Sequence, residues 1–291
     1  MTSAQPGIRA SCTLILLVAV LVGCASPSGT TAHTTRAPAN TPAASVAPAN
    51  LAMTCSGDGA PTVVLVPGLG TDGSAFLELQ DELAETNRVC SYSRAGLGGS
   101  PSWPEHLDDP SAGDAADQLL ATLDAREEPG PYVMLGWSYG GVVAQAFAVR
   151  HGDLLAGLVL EDAATPELFD SPEWDFFAWA EGGRDIDTAR TTDELNGLDL
   201  GDLPLIVLTQ GTMEDWPDPE LWLQTQDRLA TLSDDVLHVI ATEAGHAVHW
   251  DAEALVVRAV DDVVDAVRSN EPLPECDNHR WRPLTGECRL P

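Results

Sequence analysis

The sequence contains no lysine and few aromatic residues, which make up 5% of the chain. All 14 basic side chains are therefore arginines. The chain has 45 Asp and Glu residues, so that its formal net charge is −31. Because a strongly acidic chain repels phosphate backbones, we do not expect a nucleic acid partner. The same charge opposes direct adsorption to anionic lipid headgroups. Hydrophobic residues still account for 44% of the chain, enough to form a sizeable core.

The apolar run Leu14–Val22 is too short to span a bilayer comfortably, and its length is typical of the core of a signal peptide. The residues Leu-Val-Gly-Cys at 21–24 resemble a bacterial lipobox, in which the cysteine receives a lipid. We therefore expect removal of residues 1–23, export, and a lipid anchor at Cys24 on the outer face of the cell membrane. An ordinary secretory signal is the alternative. Residues 24–50 are rich in Ala, Ser, Thr and Pro, which predicts a flexible linker.

Cysteine is scarce, and none of the six residues forms the paired CxxC spacing of a zinc site. Four cysteines remain once the one inside the signal peptide and Cys24 are set aside, and an even number in an exported chain indicates disulfides. Three pairings are possible. We expect Cys55–Cys90, because both flank predicted neighbouring strands, and Cys276–Cys288, which would close a small loop in the C-terminal tail.

Short strand-like runs, of which 62–66 is continuous and β-branched, alternate with segments of helical character along the rest of the chain. The runs predict strands at 62–66, 88–92, 132–135, 155–160, 203–208 and 236–240. These segments predict helices at 76–85, 114–126, 140–150, 219–232 and 252–268, of which 140–150 is apolar. This alternation predicts an α/β domain over 51–270, with a mostly parallel central sheet flanked by helices.

Residues 163–201 interrupt the alternation, and an insertion of that size between two strands is long enough to form a small lid. Its aromatic residues include Trp174, Phe176, Phe177 and Trp179. These side chains either pack the insertion onto the sheet or line a pocket. The tail 271–291 carries several arginines, and the sequence leaves open whether they contact the acidic domain or a partner.

The residues that could carry chemistry follow the predicted strands. Residues 136–140 read Gly-Trp-Ser-Tyr-Gly, a G-x-S-x-G pattern between a predicted strand and a predicted helix. The turn forces the serine backbone into a strained conformation, so that Gly136 and Gly140 must lack side chains. The hydroxyl of Ser138 then stands clear of the sheet with a helix N-terminus behind it. We therefore predict that Ser138 is a nucleophile.

A histidine and an acid should complete this arrangement. His246 lies on the loop after the last predicted strand, where it could act as the general base for Ser138. His249 is close in sequence, but the H-x-x-H pair has no evident third metal ligand. The acid that orients the imidazole could follow either of two strands. Asp162 is the first choice, and Asp215 is the alternative.

Two backbone N–H groups would bind the oxyanion of such a reaction. One belongs to Tyr139, directly after the nucleophile, and the other to Leu69 in the Pro-Gly-Leu-Gly loop at 67–70. The glycines of that loop would let its backbone approach a substrate closely. This chemistry needs neither a metal nor an organic cofactor, and we expect none.

Together these segments resemble the α/β-hydrolase family over about residues 51–270. The matching pieces are VVLVPGLG (63–70), SRAGLGGS (93–100), GWSYGG (136–141), GLVLEDAATPE (157–167) and AGHAVHWD (244–251). The resemblance implies that Ser138 is the nucleophile and His246 the base. GLVLEDAATPE looks like a subgroup in which a strand end of the GLVLVD type carries the acid, which supports Asp162.

The chain departs from the common family pattern at Pro67, where many members have His, and at Ser93, where many have Asp. Neither change touches the three predicted catalytic residues, but both bear on substrate class. The expected function is a serine hydrolase that cleaves a small apolar ester through an acyl-enzyme. An aminopeptidase or perhydrolase using the same residues, or a non-catalytic surface binding protein, stays possible. Serine rather than aspartate at the nucleophile position disfavours a haloalkane dehalogenase.

Overall fold

The computed structural model describes four stretches of the chain: 50–105, 108–174, 178–214 and 216–289. Several of the features predicted above lie outside the described residues: the signal peptide, Cys24, the linker up to residue 49, Phe176, Phe177 and Asp215. None of the described helices is long and apolar enough to cross a membrane.

The described residues form an eight-stranded sheet and a separate two-stranded hairpin. In chain order the strands are β1 (Met53–Ser56), β2 (Thr62–Val66), β3 (Arg88–Tyr92), β4 (Tyr132–Trp137), β5 (Leu155–Glu161), β6 (Ala180–Glu181), β7 (Arg184–Asp185), β8 (Leu205–Gln210), β9 (Val236–Ala241) and β10 (Gly286–Cys288). The large sheet has the order β1-β3-β2-β4-β5-β8-β9-β10, and β6 pairs with β7. The strands from β3 to β9 in this order are parallel, whereas β1 and β10 are antiparallel edges.

Helices cover both faces of the sheet. In chain order they are α1 (Leu77–Leu83), α2 (Ala112–Ala125), α3 (Tyr139–His151), α4 (Thr188–Leu195), α5 (Pro219–Leu229), α6 (Val248–Asp251), α7 (Glu253–Ser269) and α8 (Asn278–Trp281). Side chains of α2, α3 and α5 belong to the core on one face, and side chains of α1 and α7 to the core on the other. The inner strands are fully buried because both faces are covered, which explains their continuous hydrophobic runs.

All six predicted strands are present and pair in parallel, as their alternation with helices indicated. β8 begins at Leu205, two residues later than predicted, directly after Pro204. Proline has no N–H to give to a sheet, so a strand commonly begins after it. The predicted insertion contains the hairpin β6–β7 and α4, and it lies between β5 and β8, which are neighbours in the sheet.

The edge strands β1 and β10 were not predicted, because runs of four and three residues are too short to show a clear period. β10 brings the tail onto the domain by pairing with β9. Trp281 of the tail is fully buried, and Arg289 forms an ion pair with Asp227. The predicted disulfides Cys55–Cys90 and Cys276–Cys288 are both formed. The tail thus contacts the domain that precedes it.

His238 on β9 is a buried histidine outside the predicted site, with 6% of its surface exposed. Its Nε2 lies 2.8 Å from Oγ1 of Thr209, and its Nδ1 lies 3.5 Å from Oδ1 of Asp227. Burial lowers the pKa of His238 to about 4 from 6.5, although the negative charge of Asp227 acts in the opposite direction. The folded chain therefore binds fewer protons than the unfolded chain between these two pH values.

We expect acid to destabilise the fold through His238. As the pH falls from 6.5 towards 4, His238 becomes protonated in the unfolded chain but stays neutral in the folded chain. The free energy of unfolding therefore falls by about 3 kcal/mol. His238→Gln should remove this part of the pH dependence, as measured by urea unfolding at pH 7 and pH 4.5. His279→Gln, which changes an exposed imidazole, is the matched control. An equal acid-induced loss in the wild type and His238→Gln would contradict the prediction.

Candidate active site

Ser138 occupies the sharp turn between β4 and α3. Its φ of 54° and ψ of −123° are unfavourable for a residue with a side chain, as the sequence predicted for this turn. The neighbouring strand holds the turn in place, because Ser138 N donates to the carbonyl oxygen of Glu161 at 3.1 Å. A Cβ at Gly140 would lie 2.0 Å from the carbonyl oxygen of Val66, so only glycine fits there.

Asp162 follows β5 directly and is fully buried. Its Oδ1 accepts hydrogen bonds from the backbone N–H of Gln210 at 3.0 Å and from Nε1 of Trp222 at 2.9 Å. Its Oδ2 lies 2.6 Å from Nδ1 of His246. The first two bonds hold the carboxylate so that its second oxygen faces the imidazole. A carboxylate at Nδ1 favours the tautomer with a proton on Nδ1 and a lone pair on Nε2.

His246 lies on the loop between β9 and α6 and packs against indole rings, with 27% of its side chain exposed. The ring centroids of three tryptophans lie within 5.7 Å of its own: Trp137 at 5.5 Å, Trp216 at 5.0 Å and Trp222 at 5.7 Å. Nε1 of Trp137 also donates to the carbonyl oxygen of His246 at 2.8 Å. Because Trp137 precedes Ser138 in the chain, this bond ties the histidine loop to the serine turn.

Two atoms of the candidate site, one on Ser138 and one on His246, make no hydrogen bond to the described residues. Within the described part of the chain, neither Oγ of Ser138 nor Nε2 of His246 has a hydrogen-bond partner. Bonds between a catalytic serine and histidine are often long in ligand-free enzymes and shorten when substrate binds. Neither atom is therefore held by another described residue.

The two N–H groups predicted to bind an oxyanion are also available. Among the described residues, the backbone N–H groups of Leu69 and Tyr139 make no hydrogen bond. That of Tyr139 is the first of α3 and so has no acceptor within the helix. The N–H of Gly70, by contrast, donates to Oε2 of Glu181 at 3.1 Å. Leu69 is therefore the better candidate of these two loop residues.

A cleft of about 550 Å³ opens beside His246. Its lining comes from the last residue of β8 and from the loops after β8 and β9: Gln210, Gly211, Thr212, Met213, Glu214, Trp216, Gly245 and His246. Aromatic rings of the insertion reach this region, because Trp174 packs on Trp216 and Trp222, with centroids 5.4 Å from each. Trp179 lies 6.5 Å from the ring of Tyr139. Trp174 and Trp179 of the insertion thus pack against residues that border the site.

A second acid–histidine pair lies next to the first. Nδ1 of His249 is 2.6 Å from Oε1 of Glu161, and that oxygen also accepts the backbone N–H of His249 at 2.8 Å. Both side chains are buried. The H-x-x-H residues are thus divided between adjacent carboxylates, Glu161 and Asp162. This pair was not predicted from the sequence, although adjacent acids at the end of one strand and histidines three residues apart after another could have indicated it.

Removing the histidine of this second pair should be costly. His249→Phe would leave the buried carboxylate of Glu161 with one backbone donor, and breaking a buried pair in this way destabilises a fold by about 3–5 kcal/mol. Replacing both partners, as in His249→Phe with Glu161→Met, should recover most of that loss, because no unpaired charge is left. Urea unfolding of the wild type and both variants measures this difference. Equal stability of the single and double variants would argue against it.

The fold and this arrangement of residues define an α/β enzyme with a serine at the turn between a strand and a helix. The profile of the family described as "Alpha/beta hydrolase family" matches residues 63–260 of this chain, more than half of its length. The chain therefore belongs to the alpha/beta hydrolase family. The predicted fold class is confirmed, and so, at the level of this family, is the prediction of an enzyme.

Relatives of several kinds share parts of the sequence. The chain is 42% identical to the polyketide synthase ThaQ of Burkholderia thailandensis over 101 residues, which cover 34% of this chain and 5% of that protein. It is 34% identical over 125 residues to the pimeloyl-[acyl-carrier protein] methyl ester esterase of Chromobacterium violaceum, with coverage of 43% and 45%. The chain thus spans less than half the length of these two relatives.

Solved structures show the same fold. A thermophilic esterase from Thermogutta terrifontis, solved with malate bound, superposes with a TM-score of 0.56 at 23% sequence identity. The superposition covers 75% of this chain and 94% of the esterase. A likeness at this level of identity concerns the fold.

Proposed function

We propose that this protein is a serine hydrolase that cleaves small apolar esters through an acyl-enzyme. The observation that carries the proposal is the 2.6 Å contact between Oδ2 of Asp162 and Nδ1 of His246, beside the strained turn that presents Ser138. This contact aligns an imidazole for general-base catalysis. Family membership and the esterase named among the curated relatives support the same reaction class.

In the proposed reaction, Oγ of Ser138 attacks the ester carbonyl carbon while Nε2 of His246 takes the hydroxyl proton. The carboxylate of Asp162 stabilises the imidazolium that forms. The N–H groups of Leu69 and Tyr139 bind the oxyanion. The imidazolium then protonates the leaving alcohol, which departs and leaves an acyl-enzyme. Water, deprotonated by His246, releases the acid and restores the serine.

The surroundings of the site favour an apolar substrate. Three indole rings pack around His246, and Trp174 from the insertion packs on two of them; Trp216 is the most exposed of these four rings. Aromatic rings gain contact area with apolar acyl or aryl groups without needing a charged partner. The chain's net charge of −31 would also repel anionic substrates. We therefore propose short-chain or aromatic esters as the substrate class.

A panel of p-nitrophenyl esters with acyl chains of two to twelve carbons tests this proposal. We expect turnover, a burst of p-nitrophenol equal to the enzyme concentration, and the highest kcat/KM for short acyl chains. The p-nitroanilide of an amino acid serves as the comparison for aminopeptidase activity. Faster cleavage of the anilide, or no ester turnover by folded protein, would contradict the proposal.

We also propose that the protein is exported and held at the outer face of the cell membrane by lipid on Cys24. The support is the sequence alone, since this residue lies outside the described part of the chain. Metabolic labelling with palmitate should mark the wild-type protein, and globomycin should block its maturation. A Cys24→Ala protein that still takes up the label would refute the anchor.

A further inference from the structure

Arg94 is a buried arginine beside the loop that carries Leu69. It follows β3, in the SRAGLGGS segment, and only 1% of its surface is exposed. Its Nη2 donates to the carbonyl oxygen of Gly68 at 2.5 Å, and its Nη1 donates to that of Pro67. One guanidinium therefore holds two consecutive carbonyl groups of the candidate oxyanion loop.

These bonds orient the N–H group that the proposed reaction needs. The carbonyl of Gly68 and the N–H of Leu69 belong to one planar trans peptide unit, in which they point in opposite directions. A guanidinium that fixes the carbonyl on one side therefore fixes the N–H of Leu69 on the other. Arg94 also contacts the second donor residue, because its Cζ lies 5.3 Å from the ring centroid of Tyr139.

The partner of Arg94 comes from the insertion. Oε2 of Glu181, at the end of β6, lies 2.8 Å from Nη2 of Arg94, and its Oε1 accepts from Nε. The carboxylate also accepts the N–H of Gly70 at 3.1 Å, and 6% of the side chain is exposed. Burial acts to lower the pKa of Arg94, but the charge and hydrogen bonds of Glu181 outweigh it and raise that pKa. The guanidinium that contacts the loop at 67–70 therefore stays charged.

The insertion contacts the rest of the domain at several places, among them its hairpin and α4. Its hairpin turns at Gly182 and Gly183, which both have positive φ, and a Cβ at Gly182 would lie 2.2 Å from the carbonyl oxygen of Ala95. Further along, Glu194 of α4 lies 2.6 Å from Nη2 of Arg150 on α3. The hairpin cannot leave the segment after β3 without breaking the buried pair of Arg94 and Glu181.

We propose that Arg94 and Glu181 are positioning residues that hold the oxyanion loop in its working orientation. The insertion at 163–201 supplies Glu181. It therefore helps to position the oxyanion loop, in addition to bordering the site. This inference rests on the proposed ester hydrolysis. It assigns a task to two residues that touch no reacting atom.

Variants at these two positions test the proposal. Arg94→Met removes both donors to the loop, and we expect kcat to fall about 10- to 100-fold with KM within about threefold, because an oxyanion is bound only in the transition state. Arg94→Lys keeps the charge but lacks the planar fork, so its kcat should fall as well. Asp185→Asn, on the exposed part of the same hairpin, is the control and should keep wild-type kcat.

A double variant separates positioning from stability. Arg94→Met with Glu181→Met leaves no unpaired buried charge, so urea unfolding should show more stability than in either single variant. Its kcat should stay low, because the loop carbonyls still lack the two donors of Arg94, and the carbonyl of Gly68 keeps only the local donors of Thr71. A double variant that regains wild-type kcat together with stability would overturn the proposal, as would wild-type kcat in Arg94→Lys.

Hydrogen exchange gives a readout that does not depend on turnover. We expect amide exchange of residues 68–71 to be faster in Arg94→Met than in the wild type, while exchange in β4 and α3 stays unchanged. If amide exchange at 68–71 is the same in Arg94→Met and in the wild type, the positioning role of Arg94 is overturned. This result does not depend on whether esters are substrates. Wild-type ester turnover that survives Ser138→Ala would instead refute the proposed function alone.

Discussion

Replacing Ser138 with alanine is expected to lower kcat for ester hydrolysis by roughly 10⁶-fold, the scale observed when a catalytic serine is removed from a serine hydrolase. The reason is that alanine has no oxygen to form the acyl-enzyme. Stability should change little, because Ser138 Oγ makes no hydrogen bond within the described residues. The backbone bond from Ser138 N to Glu161 does not depend on the side chain.

A fluorophosphonate probe checks the same residue without a substrate. The wild type should react once per chain, and Ser138→Ala should not react at all. Ser102→Ala, which removes an exposed serine hydroxyl, is the matched control and should label like the wild type. Label that persists on Ser138→Ala would show that another residue is the nucleophile.

The variant Asp162→Asn should have the second largest effect, a loss of about 10⁴-fold in kcat. The backbone N–H of Gln210 and Nε1 of Trp222 both donate to Oδ1, so an asparagine must place its carbonyl oxygen there. Its NH₂ group then faces Nδ1 of His246. A donor at Nδ1 requires a lone pair on that nitrogen, which moves the imidazole proton to Nε2. The imidazole then cannot accept the proton of Ser138.

The alternative acid gives this experiment its comparison. Asp215→Asn should retain near-normal turnover if Asp162 orients the imidazole. Urea unfolding of both variants shows whether an activity change reflects a loss of fold. Near-normal kcat in Asp162→Asn, with the large loss in Asp215→Asn instead, would reassign the acid.

Much of the fold could be predicted from local sequence patterns. Short, mostly apolar runs identified the parallel strands, because most of these residues are buried between helices on both faces of the sheet. The turn at Ser138 was equally local, since glycines at both ends of G-x-S-x-G follow from the space that the turn leaves. β1 and β10 were missed because their positions depend on neighbouring strands, β3 and β9, rather than on their own composition.

Side-chain partners were harder to predict. The SRAGLGGS segment was recognised, but nothing in its spacing joined Arg94 to Glu181, which lies 87 residues further along the chain. The pairing of Glu161 with His249 was missed for the same reason, since those residues are 88 apart. In a chain with 45 acidic residues, proximity in sequence cannot select the carboxylate that meets a given cation.

From its residues alone, this protein could be assigned parallel strands, a serine on a strained turn and a histidine after the last of those strands. These features depend on hydrophobic period and on steric space within a few residues. Only the tertiary structure decided which acid lies against His246, because Asp162 is 84 residues away in the sequence. The two residues meet because β5, β8 and β9 lie side by side, in that order, in the sheet. A hydrogen bond depends on distance in space, and the sheet sets that distance.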